Sequence, residues 1–414
     1  MSPDLAPLIA AYGSPLYVYE LDDVRAAFKG LEEELPAGSR VLYSLKANPH
    51  PALVAELARL GCGAEVSSRS ELVTALAGGM SAETVVYTGP GRSAAETGTA
   101  IRCGARLFSV DSADQLDVVR ACAARLGVPV EVMLRVNPEQ GTTEPGLAMT
   151  GVPSQFGVDA ELLLAHPGRF ASSDGCEIIG LHYYLGSNVP TAEGLARQFA
   201  DSVESAARVC RALGIRPRVL DLGGGFPRAY ARPDEAVDLR GVGPAVDAAL
   251  ARHFPDAARR PKLLFESGRH LVGAAGRLVA EVLDVKESKG KRFAVLDSGI
   301  NHLGGMSAIG RLPRIQPAFV PAAEPAAELA AEPGAGDVRR TDVVGPLCTP
   351  LDFWCRGKEA ELAVGDHVVV PNVGAYGLTA SLVAFLGRDC PTEVVLDHGT
   401  VTDVSTLVYE RRPV

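Results

Sequence analysis

The sequence predicts an α/β fold, a (β/α)8 barrel followed by a smaller β-rich domain. Strand-like runs alternate with helix-like segments, and eight such runs occur before residue 270. After residue 276 the strand-like runs follow one another without helices between them. Alternating βα units imply a parallel sheet, and eight of them imply a closed barrel of about 250 residues.

The eight strand-like runs are short and apolar. In chain order they are RVLYSLK (40–46), GAEVSS (63–68), TVVYTG (84–89), RLFSVDS (106–112), VEVMLRVN (130–137), EIIGLHYYLGS (177–187), RVLDLGG (218–224) and KLLFESG (262–268). Segments rich in Ala and Leu lie between them, such as PALVAELARLG (51–61), SELVTALAGG (70–79) and ADQLDVVRACAARLG (113–127). These segments predict the helices outside the barrel.

The C-terminal part of the chain has a different texture. RLVAEVLDVKE, RFAVLDSG, DHVVVPNV and TEVVLDHG predict strands without crossover helices. We therefore expect a barrel over residues 25–275 and a β-rich domain formed by 1–24 together with 276–414. Segment 321–336, PAAEPAAELAAEPGAG, is low in complexity, and we interpret it as a mobile surface insertion.

The composition narrows the function classes. The 414 residues are 47% hydrophobic and carry a net charge of −10, which is typical of a soluble globular protein and argues against general nucleic-acid binding. No apolar run approaches the ~20 residues of a membrane span, and the N-terminus lacks a signal-peptide pattern, so we expect a cytoplasmic protein. The eight cysteines form no CxxC pair, so neither a metal site nor a disulfide framework is expected.

The stretch VLYSLKANPH (41–50) places a lysine at the end of a buried strand. Lysine is rarely buried without a partner or a task. Lys46 could snorkel from the strand end into water. Alternatively, its amine could lie in a dry pocket and form a Schiff base with an aldehyde. This segment alone leaves both interpretations open.

Polar residues recur where the predicted strands end. In such barrels the chemistry lies at the carboxyl ends of the strands. Any one polar residue there is ordinary, but a full ring of them predicts a functional mouth. The ring consists of Lys46, Glu65, Asp111, Arg135, Ser187, the glycine turn 223–225, Glu266 and Arg269.

Two glycine turns follow the last two barrel strands, in LDLGGGFP (220–227) and FESGRH (265–270). Barrels often bind phosphate with the loops after strands seven and eight, where glycine exposes backbone N–H groups. Glu266 lies beside these turns, and a carboxylate near a phosphate is favourable only if it faces a cation. A protonated pyridine nitrogen is such a cation. A reactive lysine, a phosphate cradle and a lone carboxylate together describe pyridoxal 5′-phosphate (PLP).

The ordered motifs resemble the fold-type III PLP enzymes, the ornithine/diaminopimelate decarboxylase family with its alanine racemase-like barrel. The resemblance covers nearly the whole chain. It rests on YGSPLYVYE (12–20), YSLKANP (43–49), DLGGGFP (221–227), ESGR (266–269), VGPLCTPLD (344–352) and GAYG (374–377).

The resemblance implies a role for each residue of the mouth. Lys46 would form the Schiff base with PLP, and Glu266 would pair with the pyridine nitrogen. Glu65 and Arg135 would lie near the cofactor. The phosphate would be held by Gly224, Gly225, Gly268, Arg269, Ser187 and Tyr376.

The resemblance also implies an assembly and a reaction. Cys348 would donate a proton to the carbanion left by decarboxylation, supplied from the neighbouring subunit of a head-to-tail homodimer. Lys46, Glu266 and Cys348 would thus be the catalytic residues of a PLP-dependent amino-acid decarboxylase.

The sequence departs from the family at several positions. Tyr184 replaces the histidine that stacks on the pyridine ring, and an aromatic ring can still stack. Thr349 follows the cysteine where diaminopimelate decarboxylases carry a glutamate. The segment DSGINHLGGMSAIGRLPR (297–314) resembles a subgroup from secondary metabolism, including antibiotic biosynthesis, or from exopolysaccharide-linked systems. Members of that subgroup include decarboxylases of aminoacyl groups tethered to an acyl carrier protein. The candidate substrate contacts are His302, Arg311, Thr349 and Asp352.

Three functional hypotheses follow. The leading one is α-decarboxylation of a specialised amino acid or of a carrier-tethered aminoacyl group. The second is an ordinary diaminopimelate decarboxylase, which Thr349 argues against. The third is a PLP-binding regulatory protein without turnover, which would have no need of Lys46, Glu266 and Cys348 together.

Overall fold

The computed structural model describes residues 4–139, 147–148, 150–233, 237–304, 320–321, 340–359 and 361–413. The chain divides into two units. One comprises residues 25–228 and 236–271, and the other comprises 1–24, 229–235 and 272–414. The first unit is the predicted barrel and the second contains a separate β-sheet, so the predicted fold class is confirmed.

The chain begins with elements of the β-rich unit and then enters the barrel. Helix α1 spans Ala6–Tyr12 and strand β1 spans Leu16–Glu20. The following strands are β2 (Arg40–Ser44), β3 (Gly63–Val66), β4 (Val85–Tyr87), β5 (Leu107–Val110), β6 (Val130–Asn137), β7 (Leu147–Ala148), β8 (Val158–Asp159), β9 (Cys176–His182), β10 (Gly186–Ser187), β11 (Val219–Asp221) and β12 (Lys262–Ser267).

The helices after α1 lie between these strands, except α10, which follows β12. They are α2 (Leu21–Glu34), α3 (Pro51–Arg59), α4 (Arg69–Ala77), α5 (Ala94–Arg102), α6 (Ala113–Leu126), α7 (Ala160–Ala165), α8 (Ala192–Leu213), α9 (Val242–His253) and α10 (Arg269–Val272). Ser68, Ser93, Ser112 and Thr191 cap the N-termini of α4, α5, α6 and α8 with their hydroxyl oxygens. Each hydroxyl satisfies a backbone N–H that the helix leaves unpaired, which fixes where these helices begin.

Eight parallel strands close the barrel in the order β2, β3, β4, β5, β6, β9, β11 and β12. The barrel closes because β12 pairs with β2, placing Leu264 opposite Arg40. Its interior holds a buried cluster of Leu42, Val86, Met133, Ile179 and Leu264. The barrel is therefore a packed core, and the carboxyl ends of its strands are left for polar side chains.

The β-rich unit adds strands β13 (Gly276–Ser288), β14 (Lys291–Leu296), β15 (Val320–Pro321), β16 (Arg340–Val344), β17 (Phe353–Glu359), β18 (His367–Val370), β19 (Thr392–Asp397) and β20 (Thr400–Thr406). The strand order is β17-β16-β14-β13-β1-β19-β20, and β18 pairs with β13 and β15. In the core of this unit, Leu5 and Leu8, at the start of α1, pack against side chains of the sheet. The buried sheet residues are Leu16, Val18, Val279, Val369, Val394 and Leu396.

Two sequence-based predictions concern residues outside those that the structure describes. They are Arg311 and, apart from its first residue, the segment 321–336. Within the described residues, no helix combines the length and the apolar character needed to cross a membrane.

Candidate active site

Lys46 lies just beyond the end of β2, in a single 3-10 turn over Leu45–Ala47. Leu45 and Ala47 are fully buried on either side of it, so the turn anchors itself in the core and directs the lysine outward. Tyr43 donates its hydroxyl to the carbonyl of Asn48 at 2.7 Å, which holds the chain as it leaves the strand. The Lys46 side chain is 41% exposed, and its Nζ lies 3.0 Å from Oε2 of Glu65.

Glu65, on the neighbouring strand β3, is the buried partner of Lys46. Its other oxygen, Oε1, accepts the hydroxyl of Thr88 at 2.6 Å and that of Ser67 at 3.3 Å. Burial raises the pKa of Glu65, but Lys46 and the Thr88 hydroxyl lower it more, and the resulting pKa is about 2. Glu65 is therefore an anion that holds the lysine amine at the mouth of the barrel.

Three further titratable side chains meet at the ends of β9, β11 and β12. His182, Asp221 and Glu266 each place a nitrogen or oxygen within 4.8 Å of the other two. Burial raises the pKa of Asp221 to about 7, and the charge of Glu65 adds to this effect. Burial together with Glu65 and Asp221 raises the pKa of Glu266 well above its usual range.

This cluster contains unsatisfied buried oxygens. Within the described residues, Oε1 of Glu266 and Oδ2 of Asp221 are buried without a hydrogen-bonding partner. A buried carboxylate is costly unless it meets a cation or a donor. The cluster therefore fits a ligand that brings a positively charged N–H into the mouth.

Arg135 and Tyr184 provide the flat surfaces of the site. The Arg135 guanidinium lies 3.6 Å from Oδ1 of Asp111 and 4.7 Å from the centre of the Phe156 ring. The Tyr184 ring centre lies 5.7 Å from Nζ of Lys46 and 5.9 Å from Cζ of Arg135. The Tyr184 ring therefore lies close to both cations, and its stacking on the cofactor stays a prediction.

The glycines of the two predicted phosphate turns have no room for a side chain. A Cβ at Gly224 would lie 2.3 Å from the carbonyl oxygen of Glu266. One at Gly225 (φ 110°) would lie 2.9 Å from the carbonyl of Gly186, and one at Gly268 would lie 2.7 Å from Cβ of Ala47. Without side chains at these positions, a ligand can approach the backbone closely and contact its N–H groups. Ser187 is half-buried in β10, and Arg269 is the half-buried first residue of α10.

Cys348 and Thr349 lie on a loop of the β-rich unit, which we call the cysteine loop (345–352). Cys348 is exposed, and the hydroxyl of Thr349 accepts the backbone N–H of Leu351 at 3.3 Å. Asp352 is only 3% exposed. Its two oxygens accept the N–H groups of Ile300 and Leu347, each at 2.8 Å. The Asp352 carboxylate thus holds the loop, and its role as a substrate contact stays a prediction.

His302, also predicted as a substrate contact, makes hydrogen-bonding contacts with both of its ring nitrogens. It is buried, with Nε2 at 3.0 Å from the carbonyl of Asp389 and Nδ1 at 3.2 Å from the hydroxyl of Ser298. Burial lowers the pKa of His302 to about 4. Both ring nitrogens are thus engaged within the β-rich unit.

Tyr376, predicted as a phosphate contact, has the left-handed backbone conformation (φ 54°). Its carbonyl accepts the hydroxyl of Tyr230 at 2.8 Å, within the same unit. A non-glycine residue in this conformation is uncommon and persists only where its surroundings fix it.

Sequence reasoning missed several polar residues of the mouth. They are Ser67, Thr88, Ser109, His182 and Asp221. Two of them could have been found: His182 and Asp221 are the last residues of β9 and β11, and each interrupts an otherwise apolar run.

The comparisons with known proteins agree with this geometry. A family model described as pyridoxal-dependent decarboxylase, pyridoxal binding domain, matches residues 21–273. The L-glutamyl-(BtrI acyl-carrier protein) decarboxylase of Niallia circulans is 30% identical over 404 residues, covering 96% of this chain and 92% of that protein. The diaminopimelate decarboxylase of Pseudomonas aeruginosa is 32% identical over 382 residues, covering 91% and 86%.

A solved structure shows the same likeness in three dimensions. The crystal structure of diaminopimelate decarboxylase from Helicobacter pylori complexed with L-lysine has a TM-score of 0.81 and 26% identity, covering 97% of this chain and 95% of that one. The chain therefore belongs to the pyridoxal-dependent decarboxylases, enzymes that use PLP to remove a carboxylate from an amino acid.

Proposed function

We propose that this enzyme decarboxylates an aminoacyl group tethered to an acyl carrier protein, in preference to free diaminopimelate. Relatives of both kinds are similarly identical to the chain, so identity does not choose between them. The observation that carries the proposal is the absence of an available charge on the cysteine loop. Asp352 is the one charged residue of that loop, and both its oxygens accept backbone N–H groups.

Free diaminopimelate would need charged side chains on the cysteine loop. Its far end carries an ammonium and a carboxylate, and burying these groups without charged partners is costly. Thr349 offers a neutral hydroxyl that already accepts a backbone N–H. A phosphopantetheine arm, which is long and thin with neutral amides, needs no such charge.

The residues of the barrel mouth fit PLP. The buried carboxyl group of Glu266 suits a protonated ring nitrogen, and the closely packed glycines suit a phosphate bound by backbone N–H groups. Lys46 would attach the cofactor through its amine, Arg135 would lie beside it, and Tyr184 would stack on its ring. Bound PLP supplies an electron sink for the electron pair that remains when the carboxylate leaves.

The protein side chains then have distinct tasks. Glu266 would hold the ring nitrogen in its protonated state, and Glu65 would position the Lys46 amine near the cofactor. Gly224, Gly225, Gly268, Arg269, Ser187 and Tyr376 would bind the phosphate. Cys348 would return a proton from its Sγ to the carbon that lost the carboxylate.

Cys348 would act in the site of a second subunit of a homodimer. The cysteine and its loop neighbour Leu351, which is 71% exposed, face solvent in the single chain. A second apolar stretch follows at 382–386, with Leu382, Phe385 and Leu386 exposed. Arg388, just after that stretch, donates to the carbonyl of Pro346 at 3.3 Å, so it lies beside the cysteine loop. An exposed thiol with exposed apolar side chains on its own loop and on a neighbouring segment fits coverage by another copy of the chain.

The substrate proposal is tested by comparing kcat/KM for free meso-diaminopimelate, free acidic and basic amino acids, and carrier-loaded aminoacyl groups. We expect the carrier-loaded form to be preferred. Thr349→Glu should raise kcat/KM for diaminopimelate, whereas the uncharged Thr349→Gln of the same size should not. Turnover of free diaminopimelate by the unmodified enzyme at about 10⁴ M⁻¹s⁻¹ or more, an ordinary enzyme's efficiency, would contradict the proposal.

A further inference from the structure

His182 lies between two buried polar side chains in the barrel. It ends β9 and is almost fully buried. Its Nδ1 lies 2.7 Å from the hydroxyl oxygen of Ser109 on β5. Its Nε2 lies 3.3 Å from Oε1 of Glu266 on β12. Three strands that are not consecutive in sequence therefore contribute to one line of polar atoms.

The chemistry of the imidazole limits how this line can be protonated. Burial and the positive charge of Arg135 lower the pKa of His182 well below its usual range, so the ring is neutral and carries one N–H. If that proton were on Nδ1, the lone pair of Nε2 would face a Glu266 carboxylate and the two would repel. With the proton on Nε2, the ring donates toward Glu266, and the Ser109 hydroxyl can donate to Nδ1.

The contact between Nε2 of His182 and Oε1 of Glu266 joins two atoms that have no other use in the part of the chain that the structure describes. Within the described residues, both Nε2 of His182 and Oε1 of Glu266 are buried without a hydrogen-bonding partner. At 3.3 Å the two atoms are within reach but are not aligned as a hydrogen bond. Hydrogen bonds of this kind are often long in a ligand-free enzyme and tighten when the site is filled.

We propose that His182 is a positioning residue that donates its Nε2–H to Oε1 of Glu266 and thereby stabilises Glu266 as the anion opposite the cofactor's ring nitrogen. The Ser109 hydroxyl, by donating to Nδ1, keeps the imidazole proton on Nε2. Glu266 gives its proton from Oε2 to the ring nitrogen, and the His182 proton stays in place. This inference rests on the role proposed above for Glu266.

The need for such a donor follows from the surroundings. Glu266 is buried near two other carboxyl groups, Glu65 and Asp221, which favour its neutral form. A neutral Glu266 would leave the ring nitrogen unprotonated, and the ring would then be a weaker electron sink. A donor fixed behind the carboxylate favours the anion and so favours a protonated ring.

The test uses PLP labelled with ¹⁵N in its ring, bound to the complete enzyme. The nitrogen chemical shift reports whether the ring is protonated, independently of turnover. We expect the wild type to show a protonated ring nitrogen. His182→Leu should shift the signal toward the unprotonated form and lower kcat/KM roughly 10- to 100-fold, the typical effect of losing a hydrogen bond to a charged group.

Two further variants keep the test decisive if His182→Leu does not fold. His182→Gln places an amide N–H near the position of Nε2, so it should restore the protonated signal and retain kcat/KM within about tenfold of the wild type. Ser109→Ala removes the donor to Nδ1 and should move the signal in the same direction as His182→Leu, by a smaller amount. An unchanged ring-nitrogen signal in His182→Leu would overturn the inference, and if His182→Leu does not fold, an unchanged signal in Ser109→Ala would overturn it.

Glu266→Gln separates this inference from the proposed function. If Glu266→Gln shifts the ring-nitrogen signal while the His182 and Ser109 variants do not, Glu266 faces the ring and the role of His182 is wrong. If Glu266→Gln itself leaves the signal unchanged, the proposed role of Glu266 fails, and the role of His182 fails with it.

Discussion

The buried carboxyl group of Asp221 should make the stability of the cofactor-free enzyme depend on pH. Burial raises the pKa of Asp221 from 3.8 to about 7. The folded protein therefore keeps this proton up to about pH 7, whereas the unfolded chain releases it near the usual aspartate pKa of 3.8. Because the folded state binds more protons between these values, the free energy of unfolding falls as the pH rises through this range.

The size of the effect follows from the shift. Each pH unit over which one proton separates the two states changes the free energy of unfolding by about 1.4 kcal/mol. From pH 5 to pH 7 the wild type should lose about 2 kcal/mol relative to Asp221→Asn, which cannot ionise, because the folded-state proton is already half released at pH 7. Its amide oxygen can still accept the backbone N–H of Gly223, the 2.9 Å contact that Asp221 makes.

The assay is urea unfolding of cofactor-free wild type and Asp221→Asn at several pH values. The helical circular dichroism signal follows the barrel, because the long helices belong to it. The free energy of unfolding of the wild type minus that of Asp221→Asn should fall as the pH rises from 5 to 7. Asp114→Asn is the matched control, since that side chain is 95% exposed and should give a difference that is nearly flat. A flat difference for Asp221→Asn as well would refute the reasoning.

Three further predictions test the proposed site. Gly224→Ala should weaken PLP binding in a spectroscopic titration, because the new Cβ would lie 2.3 Å from the carbonyl oxygen of Glu266. The backbone would have to shift, at a cost of about 1–3 kcal/mol. Gly30→Ala is the control and should leave the titration unchanged, because the new Cβ in α2 would meet no neighbouring atom within 4 Å. Borohydride reduction should attach PLP covalently to Lys46, and Lys46→Ala should lose turnover by orders of magnitude; a mapped adduct on another lysine would exclude this assignment. Mixing inactive Lys46→Ala with inactive Cys348→Ala should restore partial activity, because a hybrid dimer regains one complete site; hybrids that form and stay inactive would show that each site is built within one chain.

Much of the fold could be predicted because its signals are local. Each barrel strand is a short apolar run whose hydrogen bonds lie within one sheet, and the eight runs recur with helices between them. The boundaries were less accurate: the run predicted over 177–187 ends as a barrel strand at His182 and continues as the two-residue strand β10. Tyr183 donates its backbone N–H to the carbonyl of Asp221, and the chain then turns. The end of the strand thus depends on a residue of β11, which the local sequence pattern of β9 does not contain.

The site was predictable where a residue's chemistry is unusual for its position. A lysine at the end of a buried strand and two glycine turns at adjacent strands point to a function before any contact is known. The ionisation of the side chains in the site could not be predicted from their positions in the sequence. Lys46 and Glu65 are 19 residues apart in sequence, and Glu65 is an anion because Lys46 and Thr88 meet it in space.

The contacts of His302 and Asp352 could not be predicted from their position within a motif. Both lie in segments whose resemblance suggests substrate binding, and in the structure their polar atoms also tie loops together. A Cβ at Gly299 or Gly345 would lie 2.4 or 2.3 Å from the Asp352 carboxylate, so the loops pack directly against that group. A carboxylate bound by two backbone N–H groups of adjacent loops fixes the conformation of the loop that bears Cys348. Removing that carboxylate would therefore change the position of the thiol before it changed any contact with a substrate.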